Sequence, residues 1–209
     1  MKRLDTDVVV IGGGSTGLGV VRDAAMRGYR AVLVERVDLG QGTTGRFHGL
    51  LHSGGRYVVS DPGSATECAE ENAILRRIQA SAVEDTGGFF VTLADDDPAY
   101  ADKFLEGAKA TGVPATEISV KEALRREPRL DPRIQRAIEV ADGSVDGWQL
   151  VWGAARSAEA HGAKVLTYHR VMKIERDGDR VAAVICRDEK GGEDVRITCT
   201  FVLNCAGPW

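Results

Sequence analysis

Cysteine is scarce in this 209-residue chain: four residues, at positions 68, 186, 199 and 205, with no C-x-x-C spacing. That pattern argues against a disulfide framework or a zinc site and for reduced structural thiols in a cytoplasmic protein. Long apolar runs are also missing. None approaches the roughly 20 residues of a membrane span, and the strongest, Val8-Val9-Val10-Ile11, reads as a core strand. Residues 1–5 lead straight into a strand pattern, without the layout of a signal peptide. There is no basic excess: 27 Lys and Arg stand against 31 Asp and Glu, giving a net charge of −4 and a pI near 5.6. That excludes the usual electrostatic footprint of a nucleic-acid binder. No internal repeat of 20–50 residues is visible. Of the four histidines, His48 and His52 are four apart in a glycine-rich loop where no helix is expected, so they do not read as a metal pair. The acidic run at 95–97 reads as a solvated turn. No metal is expected.

Glycine, in contrast, is abundant at 25 residues and is concentrated in the first third. The β-branched run at 8–11 predicts a parallel strand buried on both faces. Gly12, Gly14 and Gly17 then form G-x-G-x-x-G. Leu18, Val21, Ala25 and Met26 recur at helical spacing, and Gly28 closes the helix as a left-handed cap. Ala31 to Val34 is a second strand with Glu35 at its end. A lone G-x-G-x-x-G is weak evidence, but strand, turn, helix, strand and acid all stand in order here. Gly12 permits the tight turn, Gly14 lets backbone approach a pyrophosphate, and Gly17 lets helix and strand pack closely. Amides at the helix start, around Ser15 and Thr16, face the phosphates. Glu35, followed by Arg36, suits ribose hydroxyls.

The stretch "GTTGRFHGLLHSGGRYV", residues 42–58, decides between NAD and FAD. An NAD domain normally runs from its second strand into another crossover helix, and here a long glycine-rich loop follows instead. FAD is longer than one βαβ unit can hold. Thr43 and Thr44 would bring amides and hydroxyls to the pyrophosphate and ribityl chain, and Gly49, Gly54 and Gly55 would let backbone pass against the flavin.

With that loop, "ECAEENAILRRI" and "VADGSVDGWQL", the whole chain resembles the FAD-dependent glycerol-3-phosphate dehydrogenases of the D-amino-acid-oxidase-like superfamily. It is most similar to the anaerobic catalytic type; Ser53-Gly54-Gly55 departs from the aerobic loop. The resemblance implies an α/β fold: an FAD-binding Rossmann-type domain, glutathione-reductase-2-like, with part of an α+β substrate-binding layer. Residues 1–85 and 146–209 would form the FAD-binding domain and residues 86–145 the substrate-facing region. It implies oxidation of sn-glycerol 3-phosphate, with electrons leaving towards membrane quinone through iron–sulfur or membrane-anchor subunits, and a cytoplasmic or peripheral location. Arg56 and Tyr57 would contact substrate, with His52 a further candidate. Val171 would offer backbone to the adenine edge or be a plain meander strand. Ala206 and Gly207 resemble the superfamily's turn beside FAD, with Cys205 in a packing role. The relatives' further length makes this chain an expected N-terminal portion ending at Trp209, so the base that takes the substrate proton cannot be named. Two alternatives stay open: another flavin enzyme of the superfamily acting on an amine or 2-hydroxy acid, and a non-catalytic dinucleotide-binding domain.

Further along, helices are predicted at 64–82 with Ser64 as cap, in "PAYADKFLEGAKATG" up to Gly112, in "SVKEALRREP" before Pro128, and from a cap at Asp146 to His161. Strands are predicted in "GGFFVTLA", "AIEV", around the Asp177-Gly178 turn, and at 201–203.

Overall fold

The computed structural model describes residues 1–208; Trp209, the predicted end of the fragment, lies outside the described residues. The chain divides into two compact units, residues 1–48 with 146–209, and residues 49–145. The helix after the glycine-rich loop packs within residues 49–145.

The first unit contains a parallel sheet in the order Lys164–Leu166, Ala31–Val34, Val8–Ile11, Phe201–Asn204. Side chains on a strand alternate between its faces. Val8, Val10 and Leu33 therefore meet Leu18, Val21 and Ala25 of helix Ser15–Met26 and Val151 and Ala155 of helix Gly147–Ala160. Val9, Val32 and Val34 point the other way, onto Val184, Cys186, Val195 and Ile197. Those belong to a second sheet in the order Lys2–Asp5, Asp194–Thr198, Arg180–Asp188, His169–Asp177. Its first pair is parallel and the other two are antiparallel. Because the Val8–Ile11 strand has apolar layers on both sides, its sequence reads as an unbroken apolar run. Met26 departs from the expected helical stripe and is exposed, as it falls one position past Ala25 and off the buried face.

The second unit holds two antiparallel three-stranded sheets, ordered Leu50–Leu51, Gly143–Val145, Val83–Glu84 and Gly88–Thr92, Arg136–Val140, Ala115–Ile118. Helices Tyr100–Thr111 and Val120–Arg126 stand where the sequence puts them, the first closed by left-handed Gly112 and the second ending two residues before Pro128. The helix predicted over 64–82 is displaced. It runs Pro62–Ile78, and its cap is Asp61, not Ser64. Pro62 is suited to the first helical position, where its missing N–H costs nothing. Asp61 accepts both the Ser64 N–H at 3.1 Å and its hydroxyl at 2.7 Å. In the acidic run, Asp96 accepts the Leu93 N–H and Asp97 accepts the Ala99 N–H and pairs with Lys103.

Candidate functional site

The glycine turn between Val8–Ile11 and Ser15–Met26 is built as its sequence requires. Gly12 has φ +109°, and a Cβ on it would lie 2.4 Å from the Cys205 carbonyl oxygen. A Cβ on Gly17 would lie 1.9 Å from the Gly12 carbonyl oxygen. Helix and strand are therefore as close as backbones allow, leaving the helix start at the sheet's end. The helix cap, Gly14, has no side chain to satisfy the first-turn amides. The Ser15 N–H donates to Thr44 Oγ1 at 3.1 Å. Thr16, the next residue, is exposed. The helix start thus takes an oxygen acceptor at its first amide, the kind of atom a phosphate supplies. Thr43 and Thr44 open a short 3-10 turn, Thr43–Gly45, that brings the Thr44 hydroxyl to this point.

Glu35 sits at the end of its strand with its carboxylate beside the turn. One oxygen accepts the Gly13 N–H at 2.7 Å and the other the Val37 N–H at 3.0 Å. Arg36 is exposed, with no hydrogen bond or ion pair among the described residues. The Glu35 carbonyl accepts the His169 N–H at 2.7 Å, and Val171 follows two residues later on the same strand, opposite Cys186. Ala206 borders the turn, since a Cβ on Gly12 would also lie 3.0 Å from Ala206 Cα, and Gly207 follows it with φ +68°. Gly12, Gly14, Gly17, Glu35, Thr44 and Ala206 are thus gathered at one end of the parallel sheet. A left-handed glycine, an uncapped helix start and an acid at the second strand's end fit a dinucleotide's diphosphate and ribose.

In the second unit, Arg56 and Tyr57 occupy the 3-10 turn Gly55–Tyr57, entered through Gly54 at φ +96°. They do not share an environment. Tyr57 packs against the core formed by Val58, Phe104 and Val140, whereas Arg56 is exposed, with no hydrogen bond or ion pair among the described residues. Gly54 and Gly55 serve this unit's own packing: Cβ atoms there would meet the Ala65 carbonyl oxygen at 2.4 Å and the Phe90 ring at 3.1 Å. Both glycines thus allow close packing, against helix Pro62–Ile78 and against an aromatic side chain. Gly49 is left-handed at φ +74°, just before the Leu50–Leu51 strand.

Sequence reasoning misses the polar cluster behind this loop. Asp142 accepts the Ser53 N–H at 2.7 Å and its hydroxyl at 2.6 Å, and its second oxygen lies 3.3 Å from His52 Nδ1. Asn72, 5 % exposed, donates to the His52 carbonyl at 3.1 Å and accepts from Arg76 at 2.6 Å. Arg76 also holds the Ala141 carbonyl at 2.8 Å and pairs with Asp85. A buried Asn in the middle of an otherwise amphipathic helix was the available signal, because a buried amide demands partners.

Among the described residues, no group of three or more His, Cys, Asp or Glu could hold a metal ion. Burial pushes the Cys186, Cys199 and Cys205 thiols up, which suits packing and not nucleophilic chemistry.

Comparison with known proteins agrees with this geometry. The profile of the family described as "DAO: FAD dependent oxidoreductase" matches residues 7–209. The whole chain is 47% identical to the A1 subunit of the anaerobic glycerol-3-phosphate dehydrogenase of Haloferax volcanii and covers 37% of that protein. It is 44% identical, again over its full length, to the A subunit of the Escherichia coli anaerobic enzyme and covers 39% of it. The chain thus spans about two fifths of the length of these relatives. A glycerol-3-phosphate dehydrogenase from Bacillus halodurans, solved with FAD, superposes with a TM-score of 0.72 at 25% identity, covering 98% of this chain and 35% of that one. The chain belongs to the family of FAD-dependent oxidoreductases.

Proposed function

We propose that this chain is the cofactor-binding and substrate-reading part of an enzyme that oxidises sn-glycerol 3-phosphate to dihydroxyacetone phosphate. The observation that carries the reading is the full-length similarity, 47% and 44%, to the A-type subunits of anaerobic glycerol-3-phosphate dehydrogenases. FAD, when bound, supplies the hydride acceptor. Gly12, Gly14, Ser15, Thr16 and Gly17 hold its diphosphate. Glu35 and Arg36 bind the adenosine side with Val171, and Thr43, Thr44, Gly49, Ala206 and Gly207 complete the cradle. Residues 1–48 and 146–209 are the FAD-binding part, and residues 49–145 read the substrate.

Arg56 is the substrate-phosphate contact. A guanidinium fork donates two parallel hydrogen bonds to a phosphate. Among the described residues, this one carries no ion pair that would first have to be broken. Tyr57 and His52 are the further substrate contacts. Electrons leave towards membrane quinone through iron–sulfur or membrane-anchor subunits, with this protein held peripherally on the inner face of the membrane. Among the described residues, no helix is long and apolar enough to cross a membrane.

The test is Arg56→Ala in the complete enzyme, comparing kcat/KM for glycerol 3-phosphate and for glycerol. The phosphorylated substrate should lose about 2–5 kcal/mol of transition-state binding, the range for removing one partner of a desolvated charge pair, and glycerol much less. Equal losses for the two compounds would make Arg56 a structural residue.

A further inference from the structure

We infer that Tyr168 is a positioning residue for the Glu35 carboxylate. Held in the left-handed region and clasped by the turn that carries Glu189 and Lys190, it locks the chain around Glu35, and so fixes the acid that accepts the adenosine ribose of FAD. The inference rests on the proposed function, in which Glu35 binds the adenosine side of the cofactor.

Among the described residues, Tyr168 is the one non-glycine residue with a positive φ, at 59°. That conformation is costly for a bulky side chain, and it persists only where the surroundings hold it. Tyr168 is half-buried and, among the described residues, packs into neither apolar core of its unit, so core packing does not demand the strain. Three other contacts hold it. Its N–H donates to the Val37 carbonyl at 2.9 Å, and its carbonyl accepts the Glu189 N–H at 2.8 Å. The Lys190 ammonium stands 3.4 Å from the centre of its ring, a cation over an aromatic face. The left-handed turn aims two successive amides at one segment: the Tyr168 N–H reaches Val37, and the His169 N–H reaches the Glu35 carbonyl at 2.7 Å. Just before the turn, the Leu166 carbonyl accepts the Glu35 N–H at 2.9 Å. Both peptide groups of Glu35 and the carbonyl of Val37 are thus fastened to residues 166–169. Arg36 and Val37 are exposed, so this fastening stands in for burial. It reaches the carboxylate through the Val37 N–H, which donates to Glu35 Oε1 at 3.0 Å while the Gly13 N–H holds Oε2 at 2.7 Å. A carboxylate offers roughly four acceptor positions. The two amides therefore orient it and leave acceptors for ribose hydroxyls.

The experiment uses the complete enzyme, stripped of FAD, and reads the dissociation constant for FAD from the change in flavin fluorescence. It compares Tyr168→Gly, Glu35→Gln and the double variant. Glycine adopts a positive φ without strain, so the turn can still form, but its ring no longer fastens it. FAD binding should weaken about tenfold, within the range for residues that share one hydrogen-bond network. On the Glu35→Gln background the same change should add less than about twofold. Tyr168→Phe keeps the ring under Lys190 and should bind FAD as the wild type does. Unaltered affinity in Tyr168→Gly, or an equal loss on both backgrounds, would make Tyr168 a residue of the fold alone and overturn the inference. A tenfold loss in Tyr168→Phe would overturn it by moving the effect to the phenol. Wild-type affinity in Glu35→Gln would overturn it by a separate route, removing Glu35 from the cofactor site and with it that part of the proposed function. Should Tyr168→Gly not fold, Lys190→Met at its exposed position carries the test. About threefold weaker FAD binding is expected there, the scale of one exposed cation–π contact, and unaltered binding would overturn the inference.

Discussion

Cys186 has no exposed surface and lies on the Arg180–Asp188 strand between its cross-strand partners Val171 and Val195. Burial pushes its thiol from 9.0 up to about 11. The folded thiol keeps its proton where the unfolded one has released it. Its contribution to stability is therefore full below pH 9 and is lost as pH rises towards 11. A rise of that size corresponds to about 2–3 kcal/mol at the alkaline end. Urea melts of wild type and Cys186→Val should diverge between pH 8 and pH 10.5, with wild type losing more; parallel loss would show that the thiolate is not excluded. At this scale the sequence was partly informative. A β-branched neighbourhood announced that Cys186 is packed. Nothing in "VADGSVDG" announced that Asp142 reaches a histidine 90 positions earlier, because that pairing depends on which strands become neighbours.

Helix Ser15–Met26 carries two glycines with opposite roles. Gly17 is buried against the Gly12 carbonyl, whereas Gly19 is exposed with nothing within 4 Å of an added Cβ. Gly17→Ala forces backbone atoms apart and should cost more than about 3 kcal/mol, the upper end of overpacking. Gly19→Ala only removes backbone freedom from the unfolded chain and should stabilise by about 0.5–1 kcal/mol. Denaturant midpoints of the two variants check both, and a shift in the same direction for both would contradict the close helix–strand contact. The motif's spacing was enough to assign these roles to Gly12 and Gly17. Local pattern misplaced the start of helix Pro62–Ile78, because Ser64 and Asp61 are both good caps and only Pro62 at the first helical position decides between them.

For the whole chain, the telling feature is the Phe201–Asn204 strand. It lies at the edge of the parallel sheet and pairs only with Val8–Ile11 among the described residues. Phe201 and Leu203 are 58% and 41% exposed, and Leu203 borders a cleft of about 410 Å³ with Val8, Val20, Ala24 and Tyr29. An open edge with apolar side chains invites pairing with another chain. Residues 1–209 expressed alone should self-associate at micromolar concentration, and Phe201→Lys with Leu203→Lys should reduce that without lowering the melting temperature. Sedimentation showing a monomer for the unaltered chain would contradict this.

The sequence by itself determined the dinucleotide turn and the cofactor class. Those depend on contacts between residues close along the chain: a strand, a glycine turn, a helix start and an acid within 28 positions of each other, from Val8 to Glu35. It determined the two-faced burial of the first strand for the same reason, since an unbroken apolar run has few other stable settings. Only the tertiary structure decided where the first unit ends, which loop glycines are consumed by the protein's own packing, and that Asn72, Arg76, Asp142 and His52 form one cluster. Those facts arise from register and close approach between segments far apart in sequence. Hydrophobic periodicity carries no record of them, because it reports which face of an element is buried and not which distant residue meets it there.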